Sequence, residues 1–347
     1  MPPAIERCGR NGMMQLIDNG SCSDPAINLA LEEYLVRHFR GGKTVLLFYV
    51  NAPAVVIGRN QVPHTEVNLL EAVRRDIRVV RRLSGGGAVY HDRGNLNFSL
   101  IQAHAPDTIL SPAEALQPVV QGLRGAGIPV YLNARHDIMV DGRKVTGAAQ
   151  YRTRNRCLTH GTLLVSADLA ALRRALEADS TVPSSRGRVS VRSPVTNLNR
   201  PQPALDTAGV REILIPSFAR QYGAALPLAI DAGAWDVIRQ TARTKYRSWD
   251  WTMGRAPAFQ LRRTAVFPWG PCEALLDIQR GIMTRIDLGL PAGAPSCLDA
   301  LAAALEGCRY HSADIGAVLS AVGGLREGRV ISDQVADWLG ASLCPWC

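Results

Sequence analysis

Hydrophobic and polar positions follow distinct rhythms in successive stretches of this chain. Met14 to Asp18 and Arg78 to Leu83 (RVVRRL) intersperse apolar with polar residues in short runs, as strands do. Thr44 to Val50 (TVLLFYV) is almost continuously apolar, and Ala54 to Gly58 (AVVIG) repeats that character, so both predict strands buried on two faces. Between the first two strands, Asp24-Pro25 offers an N-cap and a first-turn proline for a helix running to about Arg40. On it Ile27, Leu31, Tyr34 and Leu35 share one apolar face, while Leu29 and Glu33, four apart, share a neighbouring one. Ala88 to His91 and Gly94 to Gln102 read as strands on either side of an Asp92-Arg93 turn. Pro112 to Ala126 has helical period and Val130 to Leu132 returns as a strand. Asp137 to Val140 and Lys144 to Gln150 predict a hairpin across Asp141-Gly142. Cys157 to Leu164 adds another strand, and helices are expected over Ala167 to Glu177, Val210 to Tyr222 and Ala234 to Thr244.

The rhythm breaks at Tyr246 to Phe259, where aromatics, glycine and proline mix without a period, as in an interdomain link. Beyond it come strands at Gln260 to Phe267, Glu273 to Gln279 and Ile282 to Leu288, then helices at Leu298 to Glu306, Ala313 to Val322 and Ser332 to Leu343. This divides the chain into residues 1–12, a polar segment expected to be disordered or a start-site extension, a large domain at 13–245, a link at 246–259 and a small α+β domain at 260–347.

Composition narrows the class. With 347 residues, 47% of them apolar, the chain has enough material for one large and one small core. Its longest unbroken apolar run, Val45 to Val50, is far shorter than a membrane span, and its first residues lack a signal-type apolar stretch. A cytoplasmic protein is expected. The net charge of +9 favours an anionic partner. No basic block with interleaved aromatics accompanies it, which argues against nucleic acid. Eight scattered cysteines suit reduced thiols, and Cys344-Pro-Trp-Cys347 lacks a second pair to complete a zinc site.

Candidate chemistry concentrates at Arg81 to Leu100, RRLSGGGAVYHDRGNLNFSL. Gly85, Gly86 and Gly87 bare their amides to a ligand, while Arg82, Ser84, His91, Asp92 and Asn95 supply polar groups suited to a carboxylate or phosphate. A hairpin lysine is ordinarily solvated, but Lys144 leads the small-residue run Thr146-Gly147-Ala148-Ala149, which lets a ligand approach the strand. No G-x-x-x-x-G-K-[ST] and no G-x-G-x-x-G occurs, so a nucleotide would have to be held differently.

The glycine stretch resembles the lipoate-protein ligase signature RRxSGGGAVxHDxGNxxxS. Further resemblances are NLALEE, VVIGRNQ, GRKVTGAA, HGT at His160, SVRSPVTNL and, more weakly, GCRY at Gly307. The resemblance implies an α/β (α+β) mixed-sheet catalytic domain of the biotin/lipoate ligase and class II synthetase-like type, followed by the small C-terminal α+β accessory domain. It implies activation of lipoate by ATP and Mg2+ to lipoyl-adenylate, then transfer to a lysine of lipoyl domains of 2-oxoacid dehydrogenase E2 subunits and glycine cleavage H protein. Lipoate would meet Leu29, Glu33, Tyr49, Val56, Arg82, Ser84, Gly87, His91 and Lys144. The nucleotide would meet Gly85 to Gly87, Val89, Tyr90, Asn95, Asp137, Lys144 and Ala149. Lys144 and Asp137 would be catalytic, Asp137 also a magnesium ligand, and His160 and Arg152 further candidates. An octanoyltransferase would need a cysteine before Asp137, where Asn133-Ala134-Arg135-His136 stands. A lipoyltransferase using preformed adenylate fits the same motifs, and a basic nucleic-acid-binding protein is the reading from outside enzymology.

Overall fold

The computed structural model describes residues 13–38, 44–105, 108–178, 182–200, 204–322, 334–335 and 338–339. Most of the helix expected over Ser332 to Leu343, the terminal Cys-Pro-Trp-Cys and residues 1–12 lie outside them. In chain order the large domain begins with β1 (Met14–Ile17), α1 (Pro25–Arg37), β2 (Thr44–Val50), β3 (Ala54–Ile57), α2 (Pro63–Glu66), α3 (Leu69–Arg74), β4 (Arg78–Arg81), β5 (Val89–His91) and β6 (Asn95–Ala103). It continues with α4 (Pro112–Gly125), β7 (Tyr131–Leu132), β8 (Ile138–Val140), β9 (Arg143–Lys144), β10 (Thr146–Arg152), β11 (Arg156–Leu164) and α5 (Leu169–Leu176). The short β12 (Ser184–Ser185), α6 (Thr207–Tyr222), β13 (Ala225–Leu228) and α7 (Ala232–Thr241) follow.

Six strands form one mixed sheet in the order β10-β11-β6-β2-β1-β13. The unbroken apolar run of β2 has its cause here. Leu46 and Phe48 face a core closed by α4 and α6, including Leu116, Val119, Leu214 and Phe218. Val45, Leu47 and Tyr49 face the other way, into a core closed by α1 and α7 through Leu31, Leu35 and Ile238. A central strand sandwiched in this way has no side free for polar residues. Asp24 caps α1, its carboxylate accepting from the Ala26 and Ile27 amides at 2.8 and 3.2 Å. A three-stranded sheet, β4-β3-β5, stands beside α1 and carries the glycine loop between β4 and β5.

The hairpin expected at Asp137 to Gln150 is divided between two sheets. β8 pairs with β7 and β9, but after Lys144 the chain buries Val145 and enters the large sheet as β10. Lys144 therefore stands at the seam between two sheets.

The helix expected over Ala234 to Thr244 ends in a wider π turn at Ala242–Tyr246, and the aperiodic link holds α8 (Trp249–Thr252). β14 (Phe259–Phe267), β15 (Gly270–Gln279) and β16 (Ile282–Gly289) form an antiparallel sheet covered by α9 (Cys297–Leu305) and α10 (Ser312–Val322). β12, which belongs to the segment after α5, pairs with the edge of β14.

Candidate active site

Arg81 and Arg82, the adjacent arginines at the end of β4, both act on backbone. Arg81 is fully buried, and its guanidinium donates to the carbonyls of Gly58, Arg59 and Gln61 on one side and to Trp251 and Thr252 of α8 on the other. Arg82 points back over the glycine loop. It donates to Val56 O at 2.9 Å, Gly85 O at 2.6 Å, Gly87 O at 2.7 Å and Ser84 Oγ at 3.0 Å. These four bonds leave one of its five N–H groups for a ligand. Burial pulls the Arg82 pKa down to about 10, yet it remains a cation at neutral pH. The loop is also packed from below. A Cβ on Gly58 would sit 2.2 Å from Gly86 O, and Gly86 has φ of +89°, so both positions need glycine.

Beneath the loop lies a buried polar chain. His160 on β11 bonds Ser84 Oγ through Nε2 at 2.6 Å and Glu32 through Nδ1 at 3.0 Å. Glu32 on α1 also accepts from the Tyr49 hydroxyl at 3.0 Å and from Ser99 Oγ. Because a carboxylate only accepts, His160 Nδ1 donates to Glu32, and the ring's Nε2 is hydrogen-bonded to the Ser84 hydroxyl. Burial alone would raise the Glu32 pKa, but His160, Ser99 and Tyr49 together hold it below the usual carboxylate value. The serine, imidazole and carboxylate are ordered as in a nucleophile triad. Ser84, however, is 1% exposed and absent from the cavity wall, so the chain braces the loop instead of presenting a nucleophile.

The facing wall is cationic. Lys144 Nζ lies 2.6 Å from Asp137 Oδ1, and Arg135 Nε 3.7 Å from Asp137 Oδ2. Lys144 is anchored through its backbone: its N–H donates to Pro194 O at 2.8 Å and its carbonyl accepts from Thr196 at 3.0 Å. The segment supplying those partners is a strap. It starts at β12 on the small-domain sheet, passes the Asn60 carbonyl and crosses the glycine loop at Ser190. Ser190 Oγ accepts from the Ala88 amide at 2.8 Å and from Gln61 at 3.0 Å, and donates to the Glu66 carboxylate.

Loop, lysine wall and strap enclose a cavity of about 260 Å3. Of the residues expected at the site, Leu29, Tyr49, Val56, Arg82, Gly86, Gly87, Val89, His91, Asp137, Lys144, Ala149 and His160 line it. A second space of about 480 Å3 shares Val89, Lys144 and Ser190 with the first and adds Tyr90, Thr146, Leu172 and Arg173. Burial raises the Tyr90 pKa to about 12, so its phenol stays neutral.

Five expected residues are placed elsewhere. Glu33 turns from the cavity to Lys245, Tyr246 and Arg37, at 2.7, 2.9 and 2.7 Å, because the residue after Glu32 lies a third of a turn around the helix. Ser84 is sequestered by Arg82 and His160. Gly85 is held by Arg82 at the rim without lining either space. Asn95 is buried and donates to Asn97 Oδ1 at 3.0 Å. Arg152, on the exposed end of an edge strand, donates to Thr108 O. Asp137, expected as a magnesium ligand, has its carboxylate committed to Lys144, Arg135 and Asn133. Among the described residues no cluster of three or more His, Cys, Asp or Glu could hold a metal. That donor set does not fit a protein-held magnesium ion, which needs a free carboxylate.

Sequence reading missed Glu32, Ser190, Arg135 and Asn97. The Glu32-Glu33 doublet carried a signal, since adjacent helix residues cannot share one face. Ser190 and Arg135 come from loops whose approach depends on tertiary structure.

The model of the lipoyl protein ligase A/B catalytic domain matches residues 24–219, and that of the bacterial lipoate protein ligase C-terminus matches 256–339. The chain is 38% identical over 271 residues to lipoate-protein ligase LplJ of Bacillus subtilis, covering 77% of this chain and 82% of the relative. Among solved structures, a lipoate-protein ligase A bound with ATP superposes with a TM-score of 0.60 at 30% identity, covering 71% of this chain and 99% of its own. A bi-partite lipoate protein ligase from Thermoplasma acidophilum, described together with its E2 lipoyl domain, gives 0.59 at 27%, covering 71% and 96%.

Proposed function

The chain belongs to the lipoyl protein ligase A/B catalytic domain family, and on that footing we propose how its cavity carries out ATP-dependent lipoylation. Its activity is that of a lipoate-protein ligase, with lipoate and ATP as substrates and lipoyl-domain proteins as acceptors. The observation that carries the mechanism is that Lys144 and the glycine loop line one and the same cavity.

In our reading the acyl chain lies against Leu29, Tyr49 and Val56, with its carboxylate toward Lys144. The nucleotide occupies the adjoining space against Val89, Tyr90 and Lys144, with its α-phosphate turned toward the Gly86-Gly87 loop of the first cavity. One carboxylate oxygen attacks the α-phosphorus, the bond to the bridging oxygen breaks, and pyrophosphate leaves with the electron pair. Two anions must meet for this, and Lys144 stands between them with Asp137 holding its ammonium in place. The strap over the loop keeps water from the mixed anhydride. A neutral lysine amine of the acceptor then attacks the acyl carbonyl, AMP departs with the bonding pair and the amide forms after loss of a proton. Because Asp137 is already paired, this site offers no free carboxylate to magnesium, and any such ion would have to come with the phosphates of ATP.

We extend the acceptors to E2 subunits of 2-oxoacid dehydrogenases and to glycine cleavage H protein, and place the reaction in the cytoplasm. No helix among the described residues is long and apolar enough to cross a membrane. The domains divide at 13–245, 246–259 and 260–347, the link being the segment that carries α8. Mass spectrometry of an apo lipoyl domain incubated with this protein, ATP and either lipoate or octanoate tests the reading. A lipoyl mass increment that requires ATP is expected. Modification only from preformed lipoyl-adenylate would instead identify a transferase.

A further inference from the structure

A row of three buried asparagines ends at the cavity. Asn19 is 8% exposed, Asn28 is fully buried, Asn51 is 1% exposed and His91 is 3% exposed. The direction of every hydrogen bond in this row is fixed at its start by the Cys22 carbonyl, which can only accept. Asn19 Nδ2 donates to Cys22 O at 2.8 Å and to Asn28 Oδ1 at 3.0 Å. Asn28 Nδ2 donates to the same carbonyl at 2.9 Å and to Asn51 Oδ1 at 2.8 Å. Asn51, its oxygen so engaged, has only its Nδ2 for His91 Nδ1, 2.9 Å away. An amide NH2 cannot accept, so Nδ1 of the ring must be bare. The single proton of a neutral imidazole then resides on Nε2.

That Nε2 is buried, has no partner among the described residues, and belongs to a ring lining the acyl cavity. Burial, with Arg82 and His160 nearby, holds the His91 pKa at about 3, consistent with a ring that never receives a second proton. Val89 lies two residues earlier on β5, so the two side chains share a face about 7 Å apart along the strand. Val89 Cγ1 lies 3.4 Å from the point where a Cβ of Gly147 would stand, and Lys144 Nζ lies 3.9 Å from the same point. The histidine and the ammonium thus line the same cavity, with Val89 between them.

We propose that the Asn19–Asn28–Asn51 row is a tautomer-setting device that makes His91 an obligate Nε2–H donor to the carboxyl oxygen of the bound acyl substrate, opposite Lys144. Asn28 and Asn51 are positioning residues in this scheme, because they act through the ring. The proposal rests on the acyl-pocket reading above, but its first half concerns the ligand-free protein alone.

Two measurements on the full-length chain separate those halves. Nitrogen-15 NMR of the histidine rings, without ligand, should show His91 neutral with Nε2 protonated and Nδ1 bare at pH 7. A protonated Nδ1 or a cationic ring overturns the device whatever the protein binds. Titration with lipoate and with octanoate then reads the donor. In Asn51→Leu, affinity for both should fall by a similar factor, on the order of tenfold, since both carry the carboxyl group. Loss confined to lipoate would move the donor to the dithiolane and overturn the carboxyl assignment; no loss for either would remove the donor altogether. Glutamine in place of His91 offers an amide N–H near the Nε2 position without a tautomer to set. Adding Asn51→Leu to His91→Gln should therefore cost little more, whereas a merely structural Asn51 would cost as much in either background.

Discussion

The two walls of the acyl cavity are made differently. The wall formed by the glycine loop is braced from behind: Arg82, Ser84, His160 and Glu32 are buried, and nearly all their polar groups are spent on one another or on loop carbonyls. The opposite wall carries its charge at the surface, with Lys144 and Arg135 sharing Asp137, Lys144 held through its backbone by the strap and Arg135 reaching the strap through its guanidinium at Ser193. The first wall has shape and little unspent charge; the second has charge still available to a ligand. A transition state that brings two anions together needs both, because donors that must reorganise at the moment of reaction stabilise less than donors already in place.

The sharpest way to break that contrast is to remove the charge and leave the shape. Lys144→Ala should lower lipoate-dependent pyrophosphate release by on the order of a thousandfold. Its Tm should stay within a few degrees of the parent, since the side chain is partly exposed and its anchoring bonds are backbone. Release near the parental rate would take the lysine out of the chemistry.

Damage to the braced wall should register in stability first. Glu32→Ala leaves His160 and two hydroxyls without their shared acceptor, at a cost of about 3 kcal/mol. The pH dependence identifies the cause. The folded Glu32 pKa lies below its ordinary value of 4.5, so the unfolded chain takes up this proton first as pH falls. Its stabilisation is present above 4.5 and is lost on acidification through the lower folded value. Urea midpoints followed from pH 6 into that range should fall less steeply in Glu32→Gln than in the parent; parallel curves would mean that the carboxylate is not held ionised.

How well each wall could be read from sequence follows from the same contrast. The glycine loop was legible because its requirement is local: three glycines, flanking strands and polar residues within twenty positions. Lys144 was legible from the small residues after it. Glu32, which holds the loop in place, was passed over in favour of Glu33, since helical period locates a stripe but does not say which edge of it meets a cavity. The strap shows in the sequence only as the SVRSPVTNL stretch, because its anchors at Ser190, Pro194 and β12 pair residues tens to more than a hundred positions apart. Nor could alternation reveal that the Asp137 to Gln150 hairpin splits between two sheets, because both halves keep the same period.

The strap is where the walls meet, so loosening it should give an intermediate effect. Ser190→Ala removes the hydroxyl that joins the Ala88 amide, Gln61 and Glu66. Transfer to a lipoyl domain should fall by about tenfold, while the rate of AMP release without acceptor should rise as water reaches the adenylate. An equal fall in both rates would assign Ser190 to substrate binding instead of shelter.

The smallest effect at neutral pH belongs to a histidine on the far side of the braced wall. His64 of α2 is buried between Phe259, stacked at 5.1 Å at the start of β14, and Tyr310 of the small domain, at 5.5 Å. Its ring nitrogens have no hydrogen-bond partner among the described residues, and burial beside Arg263 lowers its pKa to about 3. An unfolded histidine takes up a proton near 6.5, so between that value and about 3 the unfolded chain binds the extra proton. Stability from this residue is therefore complete above 6.5 and declines on acidification, by up to about 1.4 kcal/mol per pH unit. His64→Phe keeps an aromatic ring in the stack and removes the proton site. Its urea stability at pH 7.5 should lie within about 1 kcal/mol of the parent, and at pH 5 it should gain about 2 kcal/mol relative to the parent. His91, depressed to a similar value, retains its own share of the acid sensitivity in that variant. If parent and variant keep a constant difference between the two pH values, His64 is not held neutral at the domain junction, and the acid response must come from the cavity side alone.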